Sequence, residues 1–300
     1  MNTSSERRQL SPERSPEGTY AMPQGYDALP RRTELLGLPV NRIRMGDVLA
    51  CLAEWIDTAR ATGAAHQPLH RVGATAGARH AVTLNPEMVM AARHDIGLRE
   101  AIVGADLVLP DGIGVVWALR LRGEAVPERV TGVDLLDAFA GLAAARGYRL
   151  FLLGAAPGVA EIVASRLGRR HPGLSIVGTC AGSPGDSAAP DIIARINASG
   201  ADAVFVAFGA PAQERWIAAY RQQLGAVVAV GVGGAFDFLA GRVPRAPRWM
   251  RRCGLEWLYR LVRQPWRWRR MLALPDFAVA ALREGRNRDQ DNHRGGGVRR

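Results

Sequence analysis

Six short, largely apolar runs, at 81–84, 107–109, 149–153, 174–177, 203–207 and 226–230, constrain this chain more than any other feature. Longer stretches with helical periodicity lie between them, at 46–60, 86–103, 112–121, 132–146, 157–170, 187–199 and 211–223. A strand that is apolar at every position has both faces buried, and helices on the two sides of a parallel sheet are the usual way to bury them. Gly147-Tyr148, Pro172-Gly173 and Ser199-Gly200 punctuate the alternation as turn signals. The pattern predicts an α/β fold: a parallel sheet with helices on both faces.

The boundaries follow from composition. Residues 1–33 are rich in Ser, Pro, Glu and Arg without periodicity and read as a disordered tail, as does 285–300. The α/β core is expected over 34–241. Beyond Gly241 the character changes: residues 242–270 carry ten Arg against the single acid Glu256, and four of the seven Trp, namely Trp249, Trp257, Trp266 and Trp268. A basic and aromatic helical appendage is therefore expected over 242–284. The net charge is +11, and all 39 basic residues are Arg, so where the Arg cluster carries more information than their identity.

Several function classes are disfavoured. Cys51, Cys180 and Cys253 are far apart with no CxxC, which argues against a disulfide framework or thiolate zinc site and suits a reducing cytoplasm. There is no basic-then-apolar signal pattern. The longest apolar stretch, 226–240, is short, Gly-rich and interrupted by Asp237, so a soluble or peripheral protein is expected. No GxxxxGK[ST], no G-x-S-x-G and no His/Cys cluster with metal-ligand spacing occurs; Asp289-Gln290-Asp291, in the C-terminal tail, is discounted as a metal site. The basic segment lacks a nucleic-acid recognition motif, so no nucleic-acid partner is expected.

The strand-ending turns hold the candidate chemistry, because ligands of parallel α/β sheets bind beyond the carboxyl ends of strands. In Leu109-Pro110-Asp111-Gly112, Asp111 is either a general base beside glycines that let a ligand approach, or the cap of the next helix. Thr83 and Asn85, two apart, share a strand face and could orient a sugar hydroxyl, or could cap the helix that Pro86 opens. Gly154-Ala155-Ala156-Pro157-Gly158 could present backbone N–H groups to a phosphate, although it lacks the full dinucleotide fingerprint. Gln213 falls in a first helical turn at the mouth of the sheet. Asp237, between two aromatics after three glycines in four residues, could grip a base or ribose, or be satisfied by local backbone. From 249 to 263 one amphipathic helix is predicted, with Met250, Cys253, Trp257, Leu258 and Leu261 on one side and Arg252, Arg260 and Arg263 on the other. Interleaved Trp and Arg suit an anionic lipid surface, Arg could clamp a diphosphate, and an ordinary docked helix with a solvated basic face is the alternative.

The ordered set Thr83-x-Asn85, Pro110-Asp111-Gly112, Glu128-Arg129-Val130-Thr131-Gly132-Val133-Asp134, Gly209-x-Pro211-x-Gln213-Glu214-x-Trp216, Gly234-x-Phe236-Asp237 and Arg245-Ala246-Pro247 resembles the WecG/TagA/CpsF glycosyltransferases. Residues 254–261, with Gln264-Pro265 and Arg267, resemble that family's C-terminal pattern, so the likeness spans roughly 35 to 275. It implies a Rossmann-like, inverting, metal-independent enzyme without a cofactor. Such an enzyme moves a sugar from a UDP-sugar to a polyprenyl-diphosphate-linked glycan in cell-surface or exopolysaccharide synthesis. It implies a cytoplasmic protein, peripheral on the inner face of a bacterial plasma membrane. By the same resemblance Asp111 is the base and Thr83 and Asn85 its polar neighbours. Arg129, Gln213 and Asp237 are pocket positions, and Arg260, Arg267 and Arg270 are basic residues that close over the diphosphate and dock the membrane. An inverting transfer needs one base for the acceptor hydroxyl and positive charge for the departing UDP, which Arg and backbone N–H groups can supply. The alternatives are a Rossmann-type oxidoreductase, for which the glycine fingerprint is incomplete, and a non-catalytic membrane-associated nucleotide-sugar binding protein. Sugar, acceptor glycan and oligomeric state are left open by the sequence.

Overall fold

The computed structural model describes residues 30–63, 65, 77–265 and 268–295. An antiparallel hairpin, β1 (Arg32–Leu35) and β2 (Leu38–Asn41), opens the chain, followed by α1 (Met45–Ala61). Then come β3 (Arg79–Leu84), α2 (Pro86–Ala91), α3 (Ile96–Val103), β4 (Leu107–Pro110), α4 (Ile113–Leu121) and α5 (Gly132–Arg146). The second half of the core is β5 (Arg149–Gly154), α6 (Val159–Arg170), β6 (Ser175–Cys180), α7 (Ala189–Ser199), β7 (Ala203–Ala207), α8 (Ala212–Tyr220), β8 (Val228–Gly231) and α9 (Ala235–Leu239). Four helices finish it: α10 (Arg248–Arg252), α11 (Glu256–Arg263), α12 (Trp268–Met271) and α13 (Ala273–Gly295).

The main sheet has six parallel strands in the order β4-β3-β8-β7-β5-β6. Alternate residues serve opposite faces, as the two-residue strand period requires. Ala81, Leu107, Leu109, Leu150, Leu152, Phe205 and Val230 pack under α1, α5, α6 and α9. Val82, Leu84 and Val108 face α2, α3 and α4, while Leu153, Val204, Val206 and Ala229 face α7 and α8. Burial on both faces explains why the strands read as continuous apolar runs, and the predicted α/β class holds.

Four local expectations are corrected. The hairpin β1–β2 had no sequence signal, because its strands are four residues long and its turn uses Leu36 and Gly37 at positive φ rather than a common hairpin pair. It is tied to the sheet by Asn41, whose Oδ1 accepts from the Val108 N–H at 2.7 Å. The expected helix 86–103 is two helices, since Asp95 stops the run and caps α3 by accepting from the Leu98 N–H at 2.9 Å. The single helix expected over 249–263 breaks at Gly254, which takes φ +74° and would meet the Ile113 side chain with any Cβ. Finally, α13 continues past residue 285 to Gly295, through part of the stretch read as a tail; between 278 and 292 it has no Pro and many good helix formers. Residues 1–29 and 296–300 of the expected tails lie outside the described residues.

The C-terminal helices are not a free appendage. Phe277 and Ala281 of α13 are buried in the cluster that holds α2 and α4, and Arg122 pairs with Glu284 at 2.6 Å. This docking places α10 to α13 over the carboxyl ends of β3, β4, β7 and β8, roofing the space above them.

Candidate active site

A cavity of about 790 Å³ lies at the carboxyl edge of the sheet, lined by the turns after β3, β4, β7 and β8 and roofed by α11 and α13. Thr83, Asn85, Asp111, Arg129, Gln213, Asp237 and Arg260 all line it, so the structure brings together residues up to 177 positions apart in sequence. Arg267 lies outside the described residues, and Arg270 is in α12 with its side chain outside them. Gly154 does not line the cavity, but Ala155 does. The glycine is required for another reason: it takes φ +104°, and a Cβ there would come within 2.7 Å of the Ala207 backbone.

β3 and β4 are paired with Leu84 opposite Pro110, so the turns holding Asn85 and Asp111 emerge side by side. Both backbone N–H groups of Asp111 and Gly112 bond to Leu84 O. Gly112 is close-fitted there, since a Cβ would collide with the Pro86 ring and sit 3.3 Å from Asn85 Cα. Asp111 does not cap α4: the N-cap is Gly112, with no side-chain cap bond. Its Oδ2 instead lies 3.5 Å from the Gly132 N–H, at the N-terminus of α5. Burial pushes the Asp111 carboxyl up from 3.8 to about 7; Arg129 and the Gly132 N–H pull it down, and Glu256 and Asp134 push it up again. A carboxyl that titrates near neutrality in a cavity has the properties of a general base.

Asn85 does cap α2, its Oδ1 accepting from the Met88 N–H at 3.0 Å. Among the described residues its Nδ2 donors are unused, so capping and ligand orientation are compatible in one side chain. Thr83 donates its hydroxyl to Gly231 O at 2.8 Å and keeps acceptor capacity. Asp237 stands in α9 between Phe236, which belongs to the core, and Phe238, whose ring lies 4.8 Å under the Arg260 guanidinium.

Sequence reasoning missed how the site's charge is wired. Glu256, the lone acid of the basic segment, reaches Arg129 at 3.3 Å and Arg245 at 3.5 Å. Arg245 also grips Asp134 at 2.6 Å and 3.1 Å. Burial would raise the Asp134 carboxyl, but Arg245 outweighs it and holds it below the ordinary range. Arg129, Arg245 and Arg260 thus converge on one cavity with a single appendage carboxylate between two of them. The only sequence signal for Glu256 was its isolation among arginines. The part of the lining that α4 and α13 supply, including Ile113, Trp117, Leu121, Leu274 and Leu282, is apolar.

α11 is oriented opposite to an ordinary surface helix. Glu256 and Arg260 face the cavity and Trp257 stands at its rim, lining it while 41% exposed, whereas Leu258 and Val262 point to solvent, Val262 at 71% exposure. Trp117 at 60% and Leu121 at 75% extend this apolar exposure on α4. Arg263 is exposed as well, so the solvent side of α11 is both basic and apolar. Among the described residues no helix is long and apolar enough to cross a membrane, and no group of three or more His, Cys, Asp or Glu is placed to hold a metal ion.

A parallel α/β sheet with an anion-ready, partly apolar cavity over its carboxyl edge defines a ligand-binding enzyme fold rather than a scaffold. The chain belongs to the WecG/TagA/CpsF family of glycosyl transferases, whose family model matches residues 33–291. It is therefore a glycosyltransferase by class, and the oxidoreductase alternative falls. It is 40% identical over 207 residues to an N-acetylglucosaminyldiphosphoundecaprenol N-acetyl-beta-D-mannosaminyltransferase of Bacillus subtilis, covering 69% of this chain and 80% of the relative. A protein of the same description from Bacillus spizizenii is 40% identical over 205 residues, covering 68% of this chain and 79% of the relative.

Proposed function

We propose that this protein transfers a sugar, with inversion, from a UDP-linked donor to the sugar of a polyprenyl-diphosphate-linked acceptor at the inner face of the bacterial plasma membrane. The observation that carries the reading is Asp111, a carboxyl held near pKa 7 at the end of β4 and facing the arginine cluster across one cavity. The acceptor hydroxyl gives its proton to Asp111 as its oxygen bonds to C1 of the donor sugar. The bond from C1 to the UDP oxygen breaks on the opposite face, and UDP departs with the electron pair. A base with a pKa near the working pH suits this step. Arg129, Arg245 and Arg260 supply positive charge where the diphosphates sit. Thr83 and Asn85, beside the base, orient the sugar or the acceptor.

The relatives' names make N-acetylmannosamine the first donor sugar to test and an N-acetylglucosamine diphosphate lipid the first acceptor. The outward apolar face of α11, continued by Trp117 and Leu121, supports docking on a lipid surface, since exposed Trp and Leu beside Arg partition into the headgroup region. The apolar lining from α4 and α13 suits the first isoprene units.

The test is UDP release by purified protein from a panel of UDP-sugars, with and without a short-chain polyprenyl-diphosphate saccharide, in EDTA. Release that requires one donor together with the lipid acceptor is the expected result and names the sugar. Release that needs no acceptor, or UDP binding that never leads to transfer, defeats the reading. Activity that appears only when a divalent cation is added back defeats the assignment of the leaving-group charge to arginine.

A further inference from the structure

Gln213 lines the cavity, and its position invites a role as a substrate contact, but its valences are already committed. The residue is 1% exposed, and its neighbours Glu214 and His80 are fully buried. Gln213 Oε1 accepts from two backbone donors, the Gly209 N–H at 3.1 Å and the Gly233 N–H at 2.9 Å. Its Nε2 donates to Glu214 Oε1 at 2.8 Å. The other carboxylate oxygen, Glu214 Oε2, is 2.8 Å from His80 Nε2, a contact in which the ring nitrogen donates to an ionised carboxylate. Both lone pairs of the amide oxygen and one of its two N–H groups are used.

The order of bonds also fixes which way the amide faces. A flipped Gln213 would aim its NH2 at two N–H groups and its oxygen at a carboxylate, three repulsive contacts in a dry site. Gly231 leaves the room for this arrangement, since a Cβ there would overlap Glu214 Oε1 and lie 2.8 Å from Gln213 Nε2. His80 does not line the cavity, and its Nδ1 is buried without a partner. Its one polar side-chain contact is Glu214.

We propose that Gln213 is a positioning residue rather than a substrate contact: its amide oxygen staples the loops after β7 and β8, and a buried Glu214–His80 pair holds the amide the right way round. Gly209 and Gly233 adopt φ +82° and +54° and line the cavity with nothing within 4 Å of where a Cβ would stand. Phe208 and Val232 pack the neighbouring positions, but nothing packs against these two glycines, so the staple sets where their backbone meets the ligand. The assignment rests on the cavity being the transfer site.

Two variants separate the possibilities. Gln213→Glu sets a second carboxylate against Glu214 and should speed amide exchange at Gly209 and Gly233 by about tenfold while lowering kcat at least as much. Adding Glu214→Gln restores every bond with donor and acceptor exchanged: the carboxylate at 213 takes both glycine N–H groups and the new amide, whose oxygen accepts from His80. Only the spare Gln213 N–H is missing. In the double variant, exchange protection and kcat should both return to within about threefold of the parent. Protection that returns while kcat stays as low as in the single variant would overturn the proposal, because the spare N–H would then be the working group. So would unchanged exchange at both glycines in Gln213→Glu. A parent protein that transfers no sugar would defeat the transferase reading, and the exchange arm would still decide the staple.

Discussion

Replacing Asp111 with Asn separates what the carboxyl does for the reaction from what it costs the fold. Its pKa is raised from 3.8 to about 7, chiefly by burial, so the folded protein holds a proton at this site that the unfolded chain has lost between those two values. A group raised in this way contributes stability at low pH that disappears as the pH climbs through the window. Three pKa units correspond to about 4 kcal/mol as an upper bound at pH 8. Asp111 is partly exposed to the cavity, where water relaxes the charge, which brings the figure to about 1–2 kcal/mol. In a chain of this size that is a shift of about 2–3 °C in melting temperature. Asp111→Asn should therefore melt higher than the parent at pH 8, and the gap should close toward pH 5. The same variant should lose about 10²–10⁴ in turnover, the usual contribution of a general base. In the parent, kcat/KM should rise about tenfold per pH unit below pH 7 and level off above it. Differential scanning fluorimetry at pH 5 and 8 and a pH–rate profile read both halves. A variant that melts lower at pH 8 would show that the ionised carboxylate is stabilised in the fold, and the reasoning from burial would fail. Near-parental turnover would remove Asp111 as the base.

Three further outcomes follow from the same geometry. Glu256→Gln removes a charge that raises the Asp111 pKa, and Arg129→Gln removes one that lowers it, so the acid limb of the pH–rate profile should move down in the first and up in the second; an unmoved limb in both would mean neither residue is felt at Asp111. Converting Leu258 and Val262 to Ser should lower binding to anionic vesicles several-fold with little change in melting temperature, because these side chains face solvent; retained cosedimentation would locate the docking face elsewhere. Gly112→Ala forces a methyl into Pro86 beside Asn85, and should cost about 1–3 kcal/mol and displace the Asp111 turn; full activity with unchanged melting would show that the turn yields without harm.

The strands were legible because burial on both faces writes itself locally: 203–207 must be apolar at every position if helices lie on either side. Asp111 was legible for a related reason, since a strand-ending turn in a parallel sheet is a ligand-facing position whatever the rest of the chain does. The choice between base and cap was not, because capping depends on backbone angles that begin α4 at Ile113 rather than at Gly112. Breaks such as those at Asp95 and Gly254 escaped for lack of a Pro and because apolar periodicity runs through them.

The sequence by itself determined the parallel α/β sheet, the turns that carry Thr83, Asn85 and Asp111, and the change of character after Gly241, all of which are set within a few residues by periodicity, turn chemistry and charge. Only the tertiary structure decided what those pieces face. Glu256 meets Arg129 across 127 positions, His80 meets Glu214 across 134, and α11 turns Glu256 and Arg260 to the cavity while Leu258 and Val262 face solvent. Hydrogen-bond partners and helix rotation depend on which surfaces are brought within about 3 Å by the packing of distant elements, and local sequence carries no term for that.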